Sequence, residues 1–183
     1  MKYNEIRRKT KKLKIGNTYI GGDSPIAIQS MTNTDTCDKV ATLEQIRALQ
    51  SAGCDIVRIT VPTLEAAETI LYLKENGIYI PIVADIHFDY KIALRCAELG
   101  VDKIRINPGN IGSDDRVKAV ADACKMRGIP IRIGINSGSL QKDILAKYGS
   151  PTPEALCESA FRHIELLDRS DFEDIVVSIK DSN

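Results

Sequence analysis

The side chains best suited to chemistry in this 183-residue chain are basic and amide groups that recur in short segments rich in Ile and Val. In each segment they alternate with aliphatic residues, so they share one face of an extended strand. The basic ones are Arg58, Arg105, Arg132 and Lys180, with His87 as a further candidate, and Asn107 and Asn136 follow in the same phase. Guanidinium groups bind phosphate through paired hydrogen bonds, so this pattern predicts a site for a doubly anionic ligand.

Asp85 is the one acidic side chain predicted on this polar face. Burying several cations without counter-charges is costly, and a bound anion would remove that cost. Asp85 and His87 project from one strand end, which makes them candidates for acid–base catalysis, but Asp85 could equally orient an arginine. His163, in the middle of a helical pattern, is expected at the surface. No Ser-His-Asp order or H-E-x-x-H motif is present, so the residues alone predict binding of a phosphorylated metabolite and leave its reaction open.

The elements that must position these groups alternate strictly along the chain. Strands are predicted over 25–31, 55–61, 80–86, 103–107, 130–136 and 174–180. Helices are predicted over 40–52, 64–76, 90–99, 114–127 and 153–167, with a short inserted helix near 140–147. Four helices end at a glycine, where a left-handed residue is favoured, namely Gly53, Gly77, Gly100 and Gly128. Thr63, Asp89 and Ser113 stand at predicted N-caps.

Alternating strands and helices with short connections predict an α/β fold with parallel strands. An open doubly wound sheet and a closed barrel are the two candidates. The first strand is not followed by the G-x-G-x-x-G motif of an open dinucleotide fold. The polar face instead fits the interior of a (β/α)8 TIM-type barrel near its carboxyl-end mouth, with six of the eight β-α units present. We predict a basic arm with a candidate hairpin strand over residues 1–24, and this partial barrel over 25–183.

Composition narrows the function classes. Hydrophobic residues make up 43% and charged residues 27%, and 25 basic side chains balance 25 acidic ones. These values argue against disorder and give no sign of a nucleic-acid or membrane partner. Five scattered cysteines without a C-x-x-C pair argue against a disulfide framework or a local metal site, so a cytoplasmic protein is expected. Cys96, Cys124 and Cys157 fall in helical patterns, where cysteine usually packs as a small apolar residue.

Several motifs occur together in one order and spacing. They are Q-S-M-T-N-T at 29–34, D-I-V-R-I-T at 55–60, A-D-I-H-F at 84–88, R-I-N-P-G-N at 105–110 and I-R-I-G-I-N-S-G-S at 131–139. In this combination the chain, from about Lys11 onward, resembles the N-terminal barrel of the 4-hydroxy-3-methylbut-2-enyl diphosphate synthase family.

The resemblance implies an oxidoreductase of the non-mevalonate isoprenoid pathway. Its substrate would be 2-C-methyl-D-erythritol 2,4-cyclodiphosphate, opened reductively with loss of water. Two electrons would come from flavodoxin or ferredoxin through a [4Fe-4S] cluster, in a homodimer. The family's diphosphate-binding positions match Arg58, His87, Arg105, Asn107, Arg132, Asn136 and Lys180, with Asp85 beside them.

The resemblance stops short of the whole family pattern. In the family, a C-terminal domain supplies three cysteines and a glutamate to the cluster, and no cysteine of this chain matches those ligands. We therefore expect an incomplete protein that is not catalytically competent by itself. The alternative is a non-redox diphosphate-binding barrel protein without the cluster domain. A pterin-type transferase barrel is a third possibility, but a pterin pocket would not need so many cations on adjacent strands.

Overall fold

The computed structural model describes residues 8–181, so Arg7 of the predicted basic arm lies outside the described residues. A small antiparallel hairpin comes first, formed by β1 (Leu13–Ile15) and β2 (Thr18–Ile20). The barrel strands are β3 (Gln29–Met31), β4 (Ile56–Thr60), β5 (Ile82–Asp85), β6 (Lys103–Ile106), β7 (Ile131–Asn136) and β8 (Ile175–Lys180). The helices are α1 (Lys39–Ser51), α2 (Leu64–Glu75), α3 (Tyr90–Glu98), α4 (Pro108–Ile111), α5 (Asp114–Arg127), α6 (Lys142–Tyr148) and α7 (Pro153–Asp168).

The helix boundaries follow the predicted start and stop signals. Thr63 accepts a hydrogen bond from the amide of Ala66, and Asp89 accepts one from the amide of Lys91, so both side chains cap the helices that they precede. Ser113 is the N-cap residue of α5 but makes no side-chain capping bond. The four predicted glycines all have positive φ, between 64° and 88°, which confirms that they end their helices in a left-handed conformation. No helix within residues 8–181 is long and apolar enough to cross a membrane.

Six parallel strands form one sheet in the order β3-β4-β5-β6-β7-β8. Each strand pairs with its chain neighbour, as expected for successive right-handed β-α units. Within residues 8–181, β3 and β8 are the two edges and do not pair with each other. The fold is therefore α/β, and the sheet forms an arc of a barrel. It contains the six strands that the sequence predicts for this chain out of the eight of a complete barrel.

The two faces of the sheet are filled differently. The aliphatic face carries fully buried residues such as Val57, Ile59 and Ile104, which pack with helix residues in one large core. The other face, called here the inner face, carries the predicted polar side chains. At its amino end, Ile15 of the hairpin packs on Ile56 and Val83. The hairpin, which the sequence placed outside the main pattern, therefore closes the base of the inner face.

The edges of the sheet depart most from the prediction. The first strand begins at Gln29 rather than at residue 25. Just before it, the amide of Ile28 donates to the Asp55 carboxylate, and the Ile28 carbonyl accepts from the amides of Asp55 and Ile56. Ile26 and Ile28 are 65% and 63% exposed. On β8, Val177 and Ile179 are also exposed, since the described residues provide no helix to cover that edge.

Candidate anion site at the carboxyl ends of the strands

The strand register arranges the side chains of the inner face in rows that run across the strands. A row is called lower when it lies nearer the amino ends of the strands. Thr60, Asp85, Arg105, Arg132 and Val176 are successive partners across five strands and form the central row. The row below it contains Arg58, Val83 and Lys103. The rows above contain the pairs Gly134–Ser178 and Asn136–Lys180. Charged groups far apart in the sequence therefore come together because parallel neighbours in register point the same way.

A cavity of about 330 Å³ lies at the carboxyl ends of these strands. Its lining contains Arg58, His87, Arg105, Asn107, Arg132, Asn136 and Lys180, which are all seven of the predicted substrate-binding residues. The remaining lining residues are Asn110, Gly134, Ser139 and Ser178. The structure thus brings the whole predicted set to one cavity, and their binding role stays a prediction.

Asp85 lies beneath the cavity and holds two of its arginines. Its side chain is only 2% exposed. Oδ2 accepts a 3.2 Å hydrogen bond from Nε of Arg58 and a second from Nη2, and Oδ1 accepts a 3.1 Å bond from Nη1 of Arg105. Nε2 of His87 is 3.9 Å from Oδ2, beyond hydrogen-bond range. Because both carboxylate oxygens are engaged by guanidinium groups, the geometry favours the orienting role for Asp85 over acid–base catalysis.

Basic side chains on the inner face outnumber acidic ones, since Asp85 is the one acid found there among residues 8–181. Arg132 donates from Nη2 to Oγ of Ser178 at 2.7 Å, while its Nε is buried and has no hydrogen-bond partner among residues 8–181. Burial, Arg58 and Arg105 all lower the pKa of Arg132. A bound dianion would offset this repulsion.

Lys103 is a further cation that the sequence analysis did not select. It is 3% exposed and lies one row below Arg105 on the same strand. Burial, followed by repulsion from Arg132 and Arg58, lowers its pKa to about 8. Its alternation with Arg105 along β6 was visible in the sequence, but a lysine at the start of a strand is usually solvent-exposed.

The amide side of the cavity is built by two loops. Residues 108–111 form the single helical turn α4, and Oδ1 of Asn107 caps the amide of Gly109 at 3.2 Å. Nδ2 of Asn107 donates to Oγ of Ser139 at 3.0 Å, and that hydroxyl donates to the carbonyl of Asn136 at 3.2 Å. Asn107 therefore links the ends of β6 and β7 as well as lining the cavity.

His163 is buried, which corrects the surface position predicted for it. It shares the buried face of α7 with Ser159 and Leu167, a helical spacing that the sequence shows. Gln141 donates from Nε2 to Nε2 of His163 at 3.0 Å and accepts at Oε1 from Ser159 at 2.8 Å. Burial lowers the His163 pKa to about 4, so the ring is neutral at physiological pH and acts as an acceptor behind the site.

The cysteines do not fit a [4Fe-4S] cluster. Cys96 and Cys124 pack in the hydrophobic core, where burial raises the pKa of each thiol to about 12. Cys157 is exposed, contrary to the apolar packing role expected for it. Within the described part of the chain, no group of three His, Cys, Asp or Glu side chains could hold a metal ion.

Comparison with known proteins agrees with this architecture. Residues 10–183 match the family model of the GcpE TIM-barrel domain. The chain is 62% identical to the 4-hydroxy-3-methylbut-2-en-1-yl diphosphate synthase (flavodoxin) of Pseudomonas aeruginosa strain LESB58, over 97% of this chain and 48% of the relative. It is 63% identical to the enzyme of the same name from Chromohalobacter salexigens, over 97% of this chain and 47% of the relative. The chain thus spans about half the length of the curated relatives that it matches.

Solved structures support the fold. The dihydropteroate synthase of Yersinia pestis superposes with a TM-score of 0.63 at 13% identity, covering 91% of this chain and 61% of that protein. The dihydropteroate synthase of Xanthomonas albilineans superposes with a TM-score of 0.61 at 16% identity, covering 92% of this chain and 64% of that protein. At such low identity the likeness concerns the barrel architecture alone. The match to the family model over residues 10–183 and the identity to the synthases establish that this chain belongs to the GcpE family and carries its TIM-barrel domain.

Proposed function

We propose that this chain is the substrate-binding barrel of a 4-hydroxy-3-methylbut-2-en-1-yl diphosphate synthase, an oxidoreductase of isoprenoid biosynthesis that acts in the cytoplasm. The observation that carries the proposal is the set of buried and half-buried cations around one cavity, with Asp85 as their one buried counter-charge among residues 8–181. Residues 25–183 would provide six strands of the barrel and the helices that connect them, residues 1–24 an N-terminal arm, and the hairpin β1–β2 the cover of its base.

The ligand proposed for the cavity is 2-C-methyl-D-erythritol 2,4-cyclodiphosphate. Its two phosphates would be bound by Arg105, Arg132 and Lys180, with Asn107 and Asn136 donating amide hydrogen bonds. Asp85 would hold Arg58 and Arg105 in position through its carboxylate. Binding and orienting the diphosphate is therefore the part of the reaction that we assign to this chain.

The reduction itself needs an electron donor and, as the resemblance implies, a [4Fe-4S] cluster. The names of the relatives specify flavodoxin, and we propose the same donor for the enzyme to which this barrel belongs. The described residues offer no ligand set for a cluster, so we propose that its ligands lie elsewhere in a complete, dimeric enzyme.

The test is a calorimetric titration of the chain with the cyclic diphosphate. Arg105→Ala and Arg132→Ala should each weaken binding by about 1.5–3 kcal/mol, as expected for a lost hydrogen bond between charged groups. Arg127→Ala is the matched control, because Arg127 ends α5, away from the residues that line the cavity, and donates to the carbonyl of Ala123. Unchanged affinity in both cavity variants, or preferential binding of a pterin, would contradict the proposal.

A further inference from the structure

Gly134 occupies the inner face of β7 directly above the central row. It is paired with Ser178 of β8 and lines the cavity. Its φ is not in the left-handed region, so the backbone there would accept any residue. A glycine in the interior of a strand weakens the strand, and it often marks a place where another group approaches closely.

The group that approaches is the guanidinium of Arg105 from the neighbouring strand. A Cβ atom built on Gly134 would lie 2.5 Å from Nε of Arg105, 2.6 Å from Nη2 and 2.8 Å from Cζ. Real Cβ atoms essentially never come so close to other heavy atoms. Arg105 therefore occupies space that only a glycine at position 134 leaves free.

The nitrogens nearest Gly134 are those that an anion would use. Among residues 8–181, only Nη1 of Arg105 has a hydrogen-bond partner, which is Oδ1 of Asp85. Nε and Nη2 form the opposite edge of the guanidinium, beside Gly134 in the cavity wall. Two adjacent N–H groups on one edge are the arrangement that binds phosphate in bidentate fashion.

We propose that Gly134 is a positioning residue that keeps the Nε–Nη2 edge of Arg105 available to the diphosphate. The inference deepens the proposed function and rests on it. Asp85 fixes one side of the guanidinium, and the missing side chain at 134 leaves room for the other. A methyl group at position 134 would displace the guanidinium or cover this edge. Because the clashing atoms are the end of a flexible side chain, Arg105 can move while the strand stays in place.

The test measures binding of pyrophosphate to the chain by calorimetry in a double-variant cycle. Gly134→Ala should raise the Kd between about 10- and 100-fold, close to the effect of Arg105→Ala. In the Arg105→Ala background, Gly134→Ala should change the Kd by less than about twofold, because the group on which it acts is gone. Gly138→Ala is the matched control, since a Cβ there meets nothing within 4 Å, and its Kd should be unchanged.

Each outcome decides the matter. If Gly134→Ala binds pyrophosphate as the unmodified chain does, or if its effect persists without Arg105, the inference is wrong and the proposed function stands. If the unmodified chain does not bind pyrophosphate, the proposed function fails and this inference with it. If Gly134→Ala does not fold, folding of the double variant would support the contact with Arg105, and unfolding of both would contradict it.

Discussion

The two ends of the inner face are built on the same strands and hold opposite kinds of side chain. At the amino end, Ile15 packs on Ile56 and Val83, all at most 2% exposed. Towards the carboxyl end, the guanidinium groups of Arg58, Arg105 and Arg132 gather around the buried carboxylate of Asp85. Lys103 lies one row below Arg105, level with Val83. The base thus resembles an ordinary hydrophobic core, whereas the mouth gathers like charges, whose burial disfavours folding.

The contrast separates residues that maintain the fold from residues that serve a ligand. Burying apolar side chains stabilises the folded chain without help from any partner. Burying like charges destabilises it until an opposite charge arrives. Substitutions at the base should therefore change stability alone. At the mouth, they should change stability and anion binding together, often in opposite directions.

The largest effect is expected from Asp85→Asn, which replaces the buried carboxylate between Arg58 and Arg105 by an amide of the same shape. We expect the free energy of unfolding to fall by about 3–5 kcal/mol, because two arginines lose their buried partner. Pyrophosphate should restore part of this loss by neutralising the same cations. Urea denaturation with and without pyrophosphate measures both effects.

Asp122→Asn is the control for that experiment. Asp122 forms an exposed ion pair with Lys118 on α5. Its substitution should lower the free energy of unfolding by less than about 1 kcal/mol. Equal losses in the two variants would contradict the special position of Asp85.

Lys103→Met should act in the opposite direction on stability. The folded-state pKa of about 8 lies below the ordinary lysine pKa of 10.5, so between these pH values the unfolded chain binds more protons and stability rises with pH. Below pH 8 the lysine is charged in both the folded and the unfolded chain. Burying its charge then lowers the free energy of unfolding by about 3 kcal/mol. The variant should therefore be more stable than the native chain at pH 7 and should lose the rise between pH 8 and 10.5.

Denaturation at several pH values measures this effect, and pyrophosphate titration of the same variant completes the comparison. Affinity should fall, because the cavity loses a positive charge beneath it. A variant that is less stable at pH 7, or that keeps the full pH dependence, would show that Lys103 is not destabilising in the folded chain.

The smallest effect is expected at the base. Ile15→Val removes one methylene from a fully buried side chain and should lower the free energy of unfolding by about 1 kcal/mol. The Kd for pyrophosphate should not change. Ile26→Val, at a side chain that is 65% exposed, provides the control and should be nearly neutral. A clear loss of anion affinity in Ile15→Val would mean that the two ends of the inner face are coupled.

Much of this arrangement could be predicted from the sequence, because it depends on local periodicity. Helix α5 has the predicted bounds, Asp114–Arg127, since an acidic first turn and Gly128 mark its two ends. The alternation in β4 to β8 correctly placed the seven cavity residues on one face, because parallel strands with the same phase must point the same way.

Other features could not be predicted, because they depend on register between strands. The role of Gly134 requires knowing that Arg105 lies beside it, which no pattern within β7 reveals. The two arginine partners of Asp85 come from different neighbouring strands. His163 was misplaced for a related reason, because α7 packs against α4 and the Gln141 loop only in three dimensions.

The central claim is that the cations at the carboxyl ends of the strands form a diphosphate site. The most direct measurement is a crystal structure of the chain soaked with the cyclic diphosphate. We expect two phosphorus positions in the cavity, with phosphate oxygens within hydrogen-bond distance of the Nε–Nη2 edge of Arg105 and of the Arg132 guanidinium. A ligand bound elsewhere on the chain, with this cavity filled only by water, would contradict it.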